Sequence, residues 1–435
     1  MTLHDELRSV VRGEVLVAGD EGFEQARRPW NLAVEQPVRA VVEAADADDV
    51  AALIRYARLA GLTVTTQPSG HGASGNAGEL ILLRTGLLDE LHVDPGTRVA
   101  RVGAGVTWGR VLEAASPYGL TGLAGSSPAV TVTGYTLGGG LSWFSRKHGF
   151  ASSSVRAFEV VDAVGARARV TAESDPDLFW ALSGGGGDFA VVTAIEFALH
   201  PAPLLYGGRM LWSADRAPAV LDAYREITAD APDELTVWYD LLQFLGAAPL
   251  VAIDATFLGE GGDAEALLRP LGKIPGVISD SRALLPVAEL GSITAEPTDP
   301  GPGRSRAELL TGLTDEVAAA LLERPIDPLL SVQLRHLGGA LSRPTDTAAG
   351  HLDEPFALYM FGIPGQDGGA AVGDRQAELA DALIPYTSGR KPFTFLAPGE
   401  RAAGAFTPQA LGRLRALKRS LDPRGTFRSN FPVLD

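Results

Sequence analysis

The chain has 435 residues, of which 46% are hydrophobic and 21% are charged, a length and composition that suit two or three globular domains. Its 37 basic and 53 acidic residues give a formal net charge of -16, which disfavours binding to nucleic acid or to an anionic membrane surface. The absence of cysteine excludes disulfides, thiolate metal sites and a cysteine nucleophile.

The N-terminal stretch MTLHDELRSVVRGEV carries charges throughout and lacks the apolar core of a secretory signal. No stretch of the sequence approaches the run of about 18 apolar residues that a membrane span needs. Together with the missing cysteines, these features predict a cytoplasmic protein with no membrane partner.

The first clear elements are a helix and a strand in the stretch ADADDVAALIRYARLAGLTVTTQ. Apolar residues recur at helical spacing over 50–57 and predict the buried stripe of an amphipathic helix. Asp48 or Asp49 can cap its N-terminus, and Gly61 ends it. LTVTTQ then leads as a strand into a glycine-rich loop.

That loop, QPSGHGASGNAG at residues 67–78, contains a G-x-G-x-x-G pattern at Gly70, Gly72 and Gly75. A dinucleotide fingerprint of this form needs a helix directly after it, because the pyrophosphate binds at the helix N-terminus. The segment that follows is ELILLRTGLL, a short apolar run that predicts a buried strand instead. A loop between strands can still bind a pyrophosphate, since successive backbone N–H groups form a concave anion site.

Glycine-rich turns separate the next elements. RVARVGAGVTWGRVLEAASPYG predicts a strand, a tight turn and a helix, and AGSSPAVTVTGYTLGGGLSWFSRKHG is rich in glycine and small residues. SSSVRAFEVVDAVGARARVTA alternates as a hairpin with Val164-Gly165 near its turn. DPDLFWALSGGGGDFAVVTAIEFALHP predicts a short helix, a four-glycine loop and a strand that ends at Pro201.

The pattern changes after Pro201. The helical stretch RAPAVLDAYREITADAP is followed by ELTVWYDLLQF, PLVAIDATFLG, PLLSVQLRHLGG and EPFALYMFGIP, which predict the strands of a second sheet. TAEPTDPGPGRSR, at residues 294–306, is rich in proline and glycine and is predicted to be a linker.

Several short motifs, each present once, are spread over nearly the whole chain. They are Trp30-Asn31, the glycine loop with His71, Gly103-Ala104-Gly105-Val106, SPAVTVTGYTLGGG at 127–140, DPDLFW at 175–180, Leu421-Asp422-Pro423 and Asn430-Phe431-Pro432. Their order and spacing resemble the flavoprotein family of vanillyl-alcohol-oxidase type, and within it the berberine-bridge-enzyme-like branch. The resemblance implies an α+β fold with two domains. A PCMH-type FAD-binding domain would cover 1–200 and be completed by 396–435, and an antiparallel-sheet substrate domain would cover 201–395.

In that family the glycine loop binds the FAD pyrophosphate through backbone amides, and its histidine is attached covalently to the flavin. The resemblance assigns the attachment to His71. Taken alone, such a histidine is more often a surface-loop residue bonded to solvent. The loop residues that the resemblance assigns to FAD are Ser69, Gly70, His71, Gly72, Ala73, Ser74 and Gly75.

The resemblance also predicts cofactor contacts outside the loop. Many relatives attach the flavin a second time through a cysteine, but the matching residue here is Ser127, so at most one covalent link can form. Val130 would lie beside the flavin, where a small branched residue tends to accompany access of dioxygen; alternatively it is a core residue of a buried strand. The remaining predicted contacts are Gly134, Tyr135, Gly138, Gly139, Val191 and Asn430.

The catalytic base does not follow from the resemblance. Relatives often carry Tyr-x-Asn near the end of the substrate domain, whereas the aligned stretch here is Pro392-Phe393-Thr394. Candidates on the predicted strands of the second sheet are Tyr359, Tyr239, Gln333 and His336. Tyr359 comes first, because the matching strand of the family faces the flavin. An aromatic residue on a strand is nevertheless more often part of the core than a catalyst.

These features predict an FAD-dependent oxidoreductase, and more specifically an oxidase, without a metal site. It would transfer hydride from a small or medium-sized organic alcohol or amine to FAD, and O2 would reoxidise the flavin. The composition also suits an enzyme of secondary metabolism. Two alternatives stay open: a flavin-retaining cyclase that acts on a natural product without net redox change, and a flavin-binding protein without turnover. The substrate and the oligomeric state are not predicted.

Overall fold

The computed structural model describes residues 2–366 and 368–434. The first sheet along the chain has four strands. Its strands are β1 (Glu14–Val17), β2 (Ala40–Glu43), β3 (Val64–Thr66) and β4 (Ile81–Arg84), in the order β1-β2-β4-β3. β4 pairs in parallel with both β2 and β3. The helices of this part are α1 (Leu3–Val10), α2 (Phe23–Ala26) and α3 (Ala47–Ala60).

The helix predicted before the glycine loop is α3, and its apolar stripe is buried as expected. Its cap, however, differs from the prediction. The side chain of Asp46 accepts hydrogen bonds from the backbone N–H groups of Asp48 and Asp49, so these two lie inside the first turn. Asp49 instead accepts from the backbone of Arg12 and Gly13, which ties α3 to the segment before β1.

An antiparallel five-stranded sheet follows. It contains β5 (Leu91–Asp94), β6 (Val99–Gly103), β8 (Val155–Val161), β9 (Arg167–Val170) and β10 (Val191–Ala198), in the order β5-β6-β10-β8-β9. The predicted hairpin is the β8–β9 pair, and its turn closes with a hydrogen bond from the N–H of Gly165 to the carbonyl of Asp162. A short two-stranded pairing joins β7 (Leu120–Thr121) to β11 (His200–Pro201).

Short helices surround this second sheet: α4 (Trp108–Ala115), α5 (Val132–Leu137), α6 (Ser145–His148) and α7 (Pro176–Leu182). The C-terminal helix α12 (Pro408–Leu421) and the tail after it return to the same region. Leu414, Phe431 and Val433 are buried in one hydrophobic cluster with Trp108 and Ile195. The end of the chain therefore completes the core of its first half.

The second half forms an antiparallel sheet of eight strands. They are β12 (Tyr206–Ser213), β13 (Leu235–Leu242), β14 (Leu250–Phe257), β15 (Val277–Asp280), β16 (Ala283–Leu284), β17 (Arg304–Leu310), β18 (Ser331–His336) and β19 (Phe356–Gly362). The order is β15-β12-β14-β13-β18-β19-β17, and β16 pairs with β12. Its helices are α8 (Ala217–Ala229), α9 (Gly261–Leu267), α10 (Asp315–Leu322) and α11 (Ala370–Leu383). Together these elements confirm the predicted α+β fold.

The two faces of the eight-stranded sheet have different neighbours. On the outer face, Tyr239 and Leu334 pack with Tyr224 of α8 and Leu379 of α11. On the inner face, Trp238 stacks on Trp143 of the first half, with ring centroids 3.6 Å apart. Because successive strand residues point to opposite faces, each strand of this sheet divides its side chains between these two environments.

The segment predicted to be a linker connects β16 to β17 within the same sheet, and its last residues, from Arg304 onward, belong to β17. Residues 294–303, here called the crossing segment, run across to the first half of the chain. The N–H of Gly301 donates to the carbonyl of Trp30, and the side chain of Asn31 bonds to both the N–H and the carbonyl of Gly303. The linker prediction is therefore wrong, because these hydrogen bonds fix the segment to the glycine-loop region.

Candidate active site

The glycine loop lies between the parallel strands β3 and β4, so the predicted strand, loop and strand are all present. Gly70 and Gly75 have φ angles of +90° and +80°, in the left-handed region that favours glycine. A Cβ at Gly70 would also lie 2.8 Å from Pro29. The opposite holds at Gly72, where a Cβ would meet no atom within 4 Å, so this side of the loop is open.

The loop leaves a series of backbone N–H groups without an acceptor. Within the described part of the chain, no hydrogen bond is made by the N–H groups of Gly70, His71, Gly72, Ser74 and Gly75. The N–H of Ala73 closes a turn with the carbonyl of Gly70. Free backbone donors concentrated in one glycine-rich loop form an anion site that suits a pyrophosphate.

His71 is held between two neighbours. Its Nδ1 is 2.9 Å from the hydroxyl of Ser69, and its ring stacks on that of Trp30 with centroids 4.2 Å apart. Burial lowers the pKa of His71 to about 4, so the imidazole is neutral at pH 7. Its Nε2 is buried, and no hydrogen-bond partner for it lies in the described residues. A neutral imidazole with one free ring nitrogen is a competent nucleophile.

The C-terminal tail lies beside the glycine loop. The hydroxyl of Ser74 donates to the carbonyl of Asn430 at 2.6 Å. The carboxylate of Asp188 accepts from the N–H groups of Ser429 and Val433, at 2.8 and 2.7 Å, and so fixes the tail on both sides of Asn430. The structure thus brings Asn430 to the loop, as its assignment to the cofactor requires.

The second predicted set of cofactor contacts surrounds α5, a helix that the glycine-rich sequence did not predict. Val130 lies in a bend before α5 and is half-buried, so the alternative that it belongs to a buried strand is wrong. Gly134 on α5 lies beside the loop, since its Cβ would be 4.0 Å from Pro68. The Ser127 and Tyr135 hydroxyls are buried and have no hydrogen-bond partner among residues 2–366 and 368–434.

The remaining predicted contacts are enclosed by protein. A Cβ on Gly138 would contact Phe393 at 3.4 Å, and one on Gly139, whose φ is +94°, would contact Phe150 at 3.3 Å. The side chain of Val191 is buried in the core beneath the first sheets, together with Val161. The backbone of Gly139 is engaged as well, because its N–H donates to the carbonyl of Thr136 and its carbonyl accepts from Ser152. The assignment of these three residues to the cofactor stays a prediction.

A polar network covers the inner face of the eight-stranded sheet. Tyr359, Gln333 and Asp240 lie side by side in register on β19, β18 and β13. The amide of Gln333 donates to Asp240 at 3.1 Å, and its oxygen accepts from both Nε and Nη2 of Arg335, at 3.0 and 2.7 Å. Two of the four predicted catalytic residues, Tyr359 and Gln333, therefore lie together.

Asp240 is the ionisable centre of this network. Ser331 donates to its second oxygen at 2.7 Å, and Arg209, which forms a two-point ion pair with Asp254, lies 3.8 Å away. Burial raises the pKa of Asp240 to about 7, and the charge of Asp254 adds to this effect. Asp240 can therefore gain or lose a proton near neutral pH.

Tyr239 and His336 point to the outer face instead. The hydroxyl of Tyr239 donates to the carbonyl of Ala217 at 3.3 Å, and its ring packs against α8. Nε2 of His336 accepts from Arg146 at 2.9 Å. The structure does not bring these two residues to the network around Gln333, because the strand alternation that aligned Tyr239 with Leu235 and Val237 points all three away from it.

The sequence did not single out Arg335, Trp238 or Phe395 as site residues. Arg335 is only 9% exposed, and its guanidinium lies 4.0 Å from the ring of Trp238, 4.9 Å from Tyr359 and 5.2 Å from Phe395. The sequence did contain one signal for Arg335. It lies two residues after Gln333 on a predicted strand, so both side chains point to the same face of the sheet. Phe395 lies directly after Pro392-Phe393-Thr394, the stretch that departs from the family pattern. This segment therefore contributes an aromatic ring to the site.

The residues present fit a flavin dinucleotide. The loop supplies free N–H donors for a pyrophosphate, and His71, Ser127 and Tyr135 each keep a buried polar atom without a partner in the described residues. No group of His, Asp or Glu side chains suited to a metal ion occurs in the described ranges. No helix in those ranges is long and apolar enough to cross a membrane.

The chain is similar to known FAD-linked proteins. The model of the FAD binding domain family matches residues 38–171, which include the glycine loop. (R)-6-hydroxynicotine oxidase of Paenarthrobacter nicotinovorans is 29% identical over an alignment of 460 residues, covering 97% of this chain and 97% of that protein.

Two solved structures have the same fold. The crystal structure of 6-hydroxy-D-nicotine oxidase from Arthrobacter nicotinovorans superposes with a TM-score of 0.84 at 25% identity, covering 96% of this chain and 97% of that one. BBE-like 1 of Physcomitrella patens gives a TM-score of 0.87 at 18% identity, over 100% of this chain and 99% of that one.

Fold, site and similarity together define a flavin-dependent enzyme. The chain is an FAD-linked oxidoreductase with a PCMH-type FAD-binding domain, and it shares its fold with BBE-like 1 of Physcomitrella patens. It is an FAD-dependent oxidoreductase.

Proposed function

We propose that the protein is an oxidase that removes hydride from a small or medium-sized organic alcohol or amine, with O2 as the final acceptor and hydrogen peroxide as the product. FAD supplies the two-electron chemistry when bound. The observation that carries the proposal is the position of a neutral His71, with a free Nε2, in a loop of unpaired N–H groups. The similarity to (R)-6-hydroxynicotine oxidase supports the choice of an oxidase.

The proposal assigns separate tasks to the two halves of the chain. The FAD-binding domain covers 1–200 and is completed by 396–435, and the substrate domain covers 201–395. The packing of α12 and the tail into the core of the first half supports this division. The polar groups of the inner face, rather than those of the loop, would then contact the substrate.

His71 holds the cofactor covalently in this proposal. Ser69 contacts Nδ1 and leaves Nε2 as the ring nitrogen available for a bond to carbon. The backbone donors of the loop, Ser127, Val130, Tyr135 and Asn430 would complete the binding site. Since the chain has no cysteine, His71 would make the only covalent link.

Tyr359 and Gln333 orient the substrate in the proposed reaction. Burial raises the pKa of Tyr359, so its hydroxyl keeps its proton at neutral pH and acts as a hydrogen-bond donor to the substrate oxygen or nitrogen. Gln333 donates to Asp240 and fixes its carboxyl, whose pKa of about 7 would suit a proton acceptor for a substrate group that reaches the carboxylate directly.

Oxygen uptake during turnover tests the proposal. The flavin-loaded protein is mixed with panels of primary alcohols, secondary alcohols and amines, and both oxygen consumption and flavin bleaching are recorded. At least one class should consume oxygen and release peroxide. Bleaching without oxygen uptake would make the protein a dehydrogenase, and a product of unchanged oxidation level under anaerobic turnover would make it a cyclase.

A further inference from the structure

Arg335 differs from Arg209 and Arg146 in how its charge is satisfied. Arg209 forms an ion pair with Asp254 at 2.6 Å. Arg146 donates to the backbone carbonyls of Leu235, Ala231 and Pro232, at 2.7, 2.9 and 3.3 Å. For Arg335, no carboxylate oxygen of the described residues lies within 4.0 Å.

The hydrogen bonds of Arg335 use only part of its guanidinium. Nε and Nη2 both donate to the single oxygen of Gln333, and no acceptor for Nη1 is present in the described chain. The three surrounding rings compensate the charge partly, through cation–π contacts, but they accept no ordinary hydrogen bond. Nη1 is not among the buried side-chain atoms that lack a partner, so it faces an accessible side of the site where a ligand can supply the acceptor.

The position of Arg335 matches a substrate site between the two halves. Its charge lowers the pKa of Tyr135, next to the glycine-rich segment, and that of Tyr359 on β19, against the larger effect of burial. The half-buried Glu296 of the crossing segment exerts the largest charge effect on Arg335, yet no ion pair forms between them. Asp240 is reached only through Gln333.

We propose that Arg335 is the anchor of an anion subsite, and that the substrate carries a carboxylate or an ionised phenolic hydroxyl on a planar, unsaturated part of the molecule. Nη1 and Nη2 bind the anionic oxygen, and the rings of Tyr359 and Phe395 flank the planar part. Trp238, which stacks on Trp143 and carries the guanidinium 4.0 Å from its ring, positions Arg335. The inference rests on the proposed function, because it names the class of substrate that the oxidase accepts. An uncharged substrate analogue would give Nη1 no anionic acceptor and would forgo the charge-assisted hydrogen bond.

Calorimetric titration of the flavin-loaded protein with benzoate and with benzamide tests the subsite. The two probes have the same ring and nearly the same shape, but only benzoate is an anion. We expect benzoate to bind at least about tenfold more tightly than benzamide, as a charge-assisted hydrogen bond implies. Flavin absorbance recorded in the same titration reports whether the probe lies near the cofactor.

Substitutions assign the effect to Arg335. Arg335→Met should weaken benzoate binding at least about tenfold and leave benzamide binding little changed, and Arg335→Lys, which keeps the charge, should restore part of the affinity. Glu296→Gln should strengthen benzoate binding, because it removes a competing negative charge. Arg413→Met is the matched control: Arg413 also lies 4.0 Å from a tryptophan ring, that of Trp180, but it pairs with Asp177 at the surface.

The outcomes separate the two proposals. Equal affinity for benzoate and benzamide, or unchanged benzoate binding in Arg335→Met and Arg335→Lys, would overturn the anion subsite. A flavin spectrum that changes in Arg335→Met without any change in benzoate affinity would also overturn it, and would assign Arg335 to the cofactor. Calorimetry detects benzoate binding without turnover and without a change in flavin absorbance. A protein that binds benzoate through Arg335 but consumes no oxygen would therefore contradict only the oxidase proposal.

Discussion

The indole ring of Trp30 stacks on the imidazole of His71, with centroids 4.2 Å apart and planes inclined by 17°. The backbone N–H of Trp30 donates to the carbonyl of Ser69, and its own carbonyl accepts from Gly301 of the crossing segment. The crossing segment thus fixes the ring that covers the proposed attachment residue.

We expect Trp30→Ala to slow covalent attachment of the flavin on the order of tenfold or more, because a reacting nitrogen that loses its fixed orientation loses most of its rate advantage. Trp30→Phe keeps an aromatic ring and should retain most of the rate. The fraction of flavin that stays with acid-precipitated protein, followed over time after adding FAD, measures the effect. Equal rates in both variants would show that the stack has no part in attachment.

Arg146 joins the two halves of the chain, and its loss should destabilise the protein. Arg146→Met removes the donor to two buried and two part-buried carbonyls. A buried carbonyl left unpaired costs roughly 1–3 kcal/mol, so the free energy of unfolding should fall by about 3 kcal/mol or more. Lys147→Met is the control, since Lys147 makes only a partly exposed ion pair with Glu234 at 3.4 Å and should change stability by about 0.5 kcal/mol or less. Urea unfolding compares them, and equal losses would contradict the role of Arg146.

The stacked pair of His148 and His200, with centroids 4.0 Å apart, should make the fold sensitive to acid. Burial lowers the pKa of His148 to about 3 and that of His200 to about 4, so both are neutral in the folded protein near pH 5. The unfolded chain binds these protons below about pH 6.5, and stability should fall as the pH drops below that value, by up to about 1.4 kcal/mol per pH unit for each proton.

His148→Phe keeps a ring in the stack but removes one of these protons. The slope of unfolding free energy between about pH 6 and about pH 5 should therefore become shallower in the variant. His92→Gln, at an exposed position on β5, serves as the control. A variant with the same slope as the parent would show that His148 takes up its proton in the folded state.

Asp240 should have the opposite pH dependence. Its pKa is raised to about 7 in the folded protein, so its contribution to stability is present below the unfolded value of about 3.9 and is lost as the pH rises through about 7. Asp240→Asn cannot ionise and should gain stability relative to the parent as the pH rises from about 5 to about 8. Thermal unfolding of both proteins across this range measures the difference; a difference that stays constant with pH would contradict the raised pKa.

The elements that sequence predicted well have a strong local signal. The helix over 47–60, the strands on either side of the glycine loop and the alternation of β13 follow from periodicity and glycine placement, and the structure confirms them. The cap of α3 was predicted two or three residues too late, because the run of acidic residues from Asp46 to Asp49 offers several equivalent cap sites. Helix α5 was not predicted, since Gly134 and the threonines around it have low helix propensity.

The missed features depend on contacts between distant parts of the chain. Trp30 and His71 are far apart in sequence, and no local pattern indicates that their rings stack. A single arginine within a strand usually faces solvent, and only the pairing of Arg335 with Trp238 on the neighbouring strand shows that it is buried. The role of residues 294–303 was mistaken for the same reason, because proline and glycine content does not reveal what an irregular segment contacts.

The most direct test of the account is the visible spectrum of the purified protein before and after acid denaturation, compared with that of His71→Ala. The account predicts flavin absorbance that stays with the denatured parent chain and is released from the variant. Release from both proteins would contradict the covalent role of His71 while leaving FAD as the cofactor. Absence of flavin from the parent protein, even after incubation with FAD, would contradict the assignment of this site to FAD.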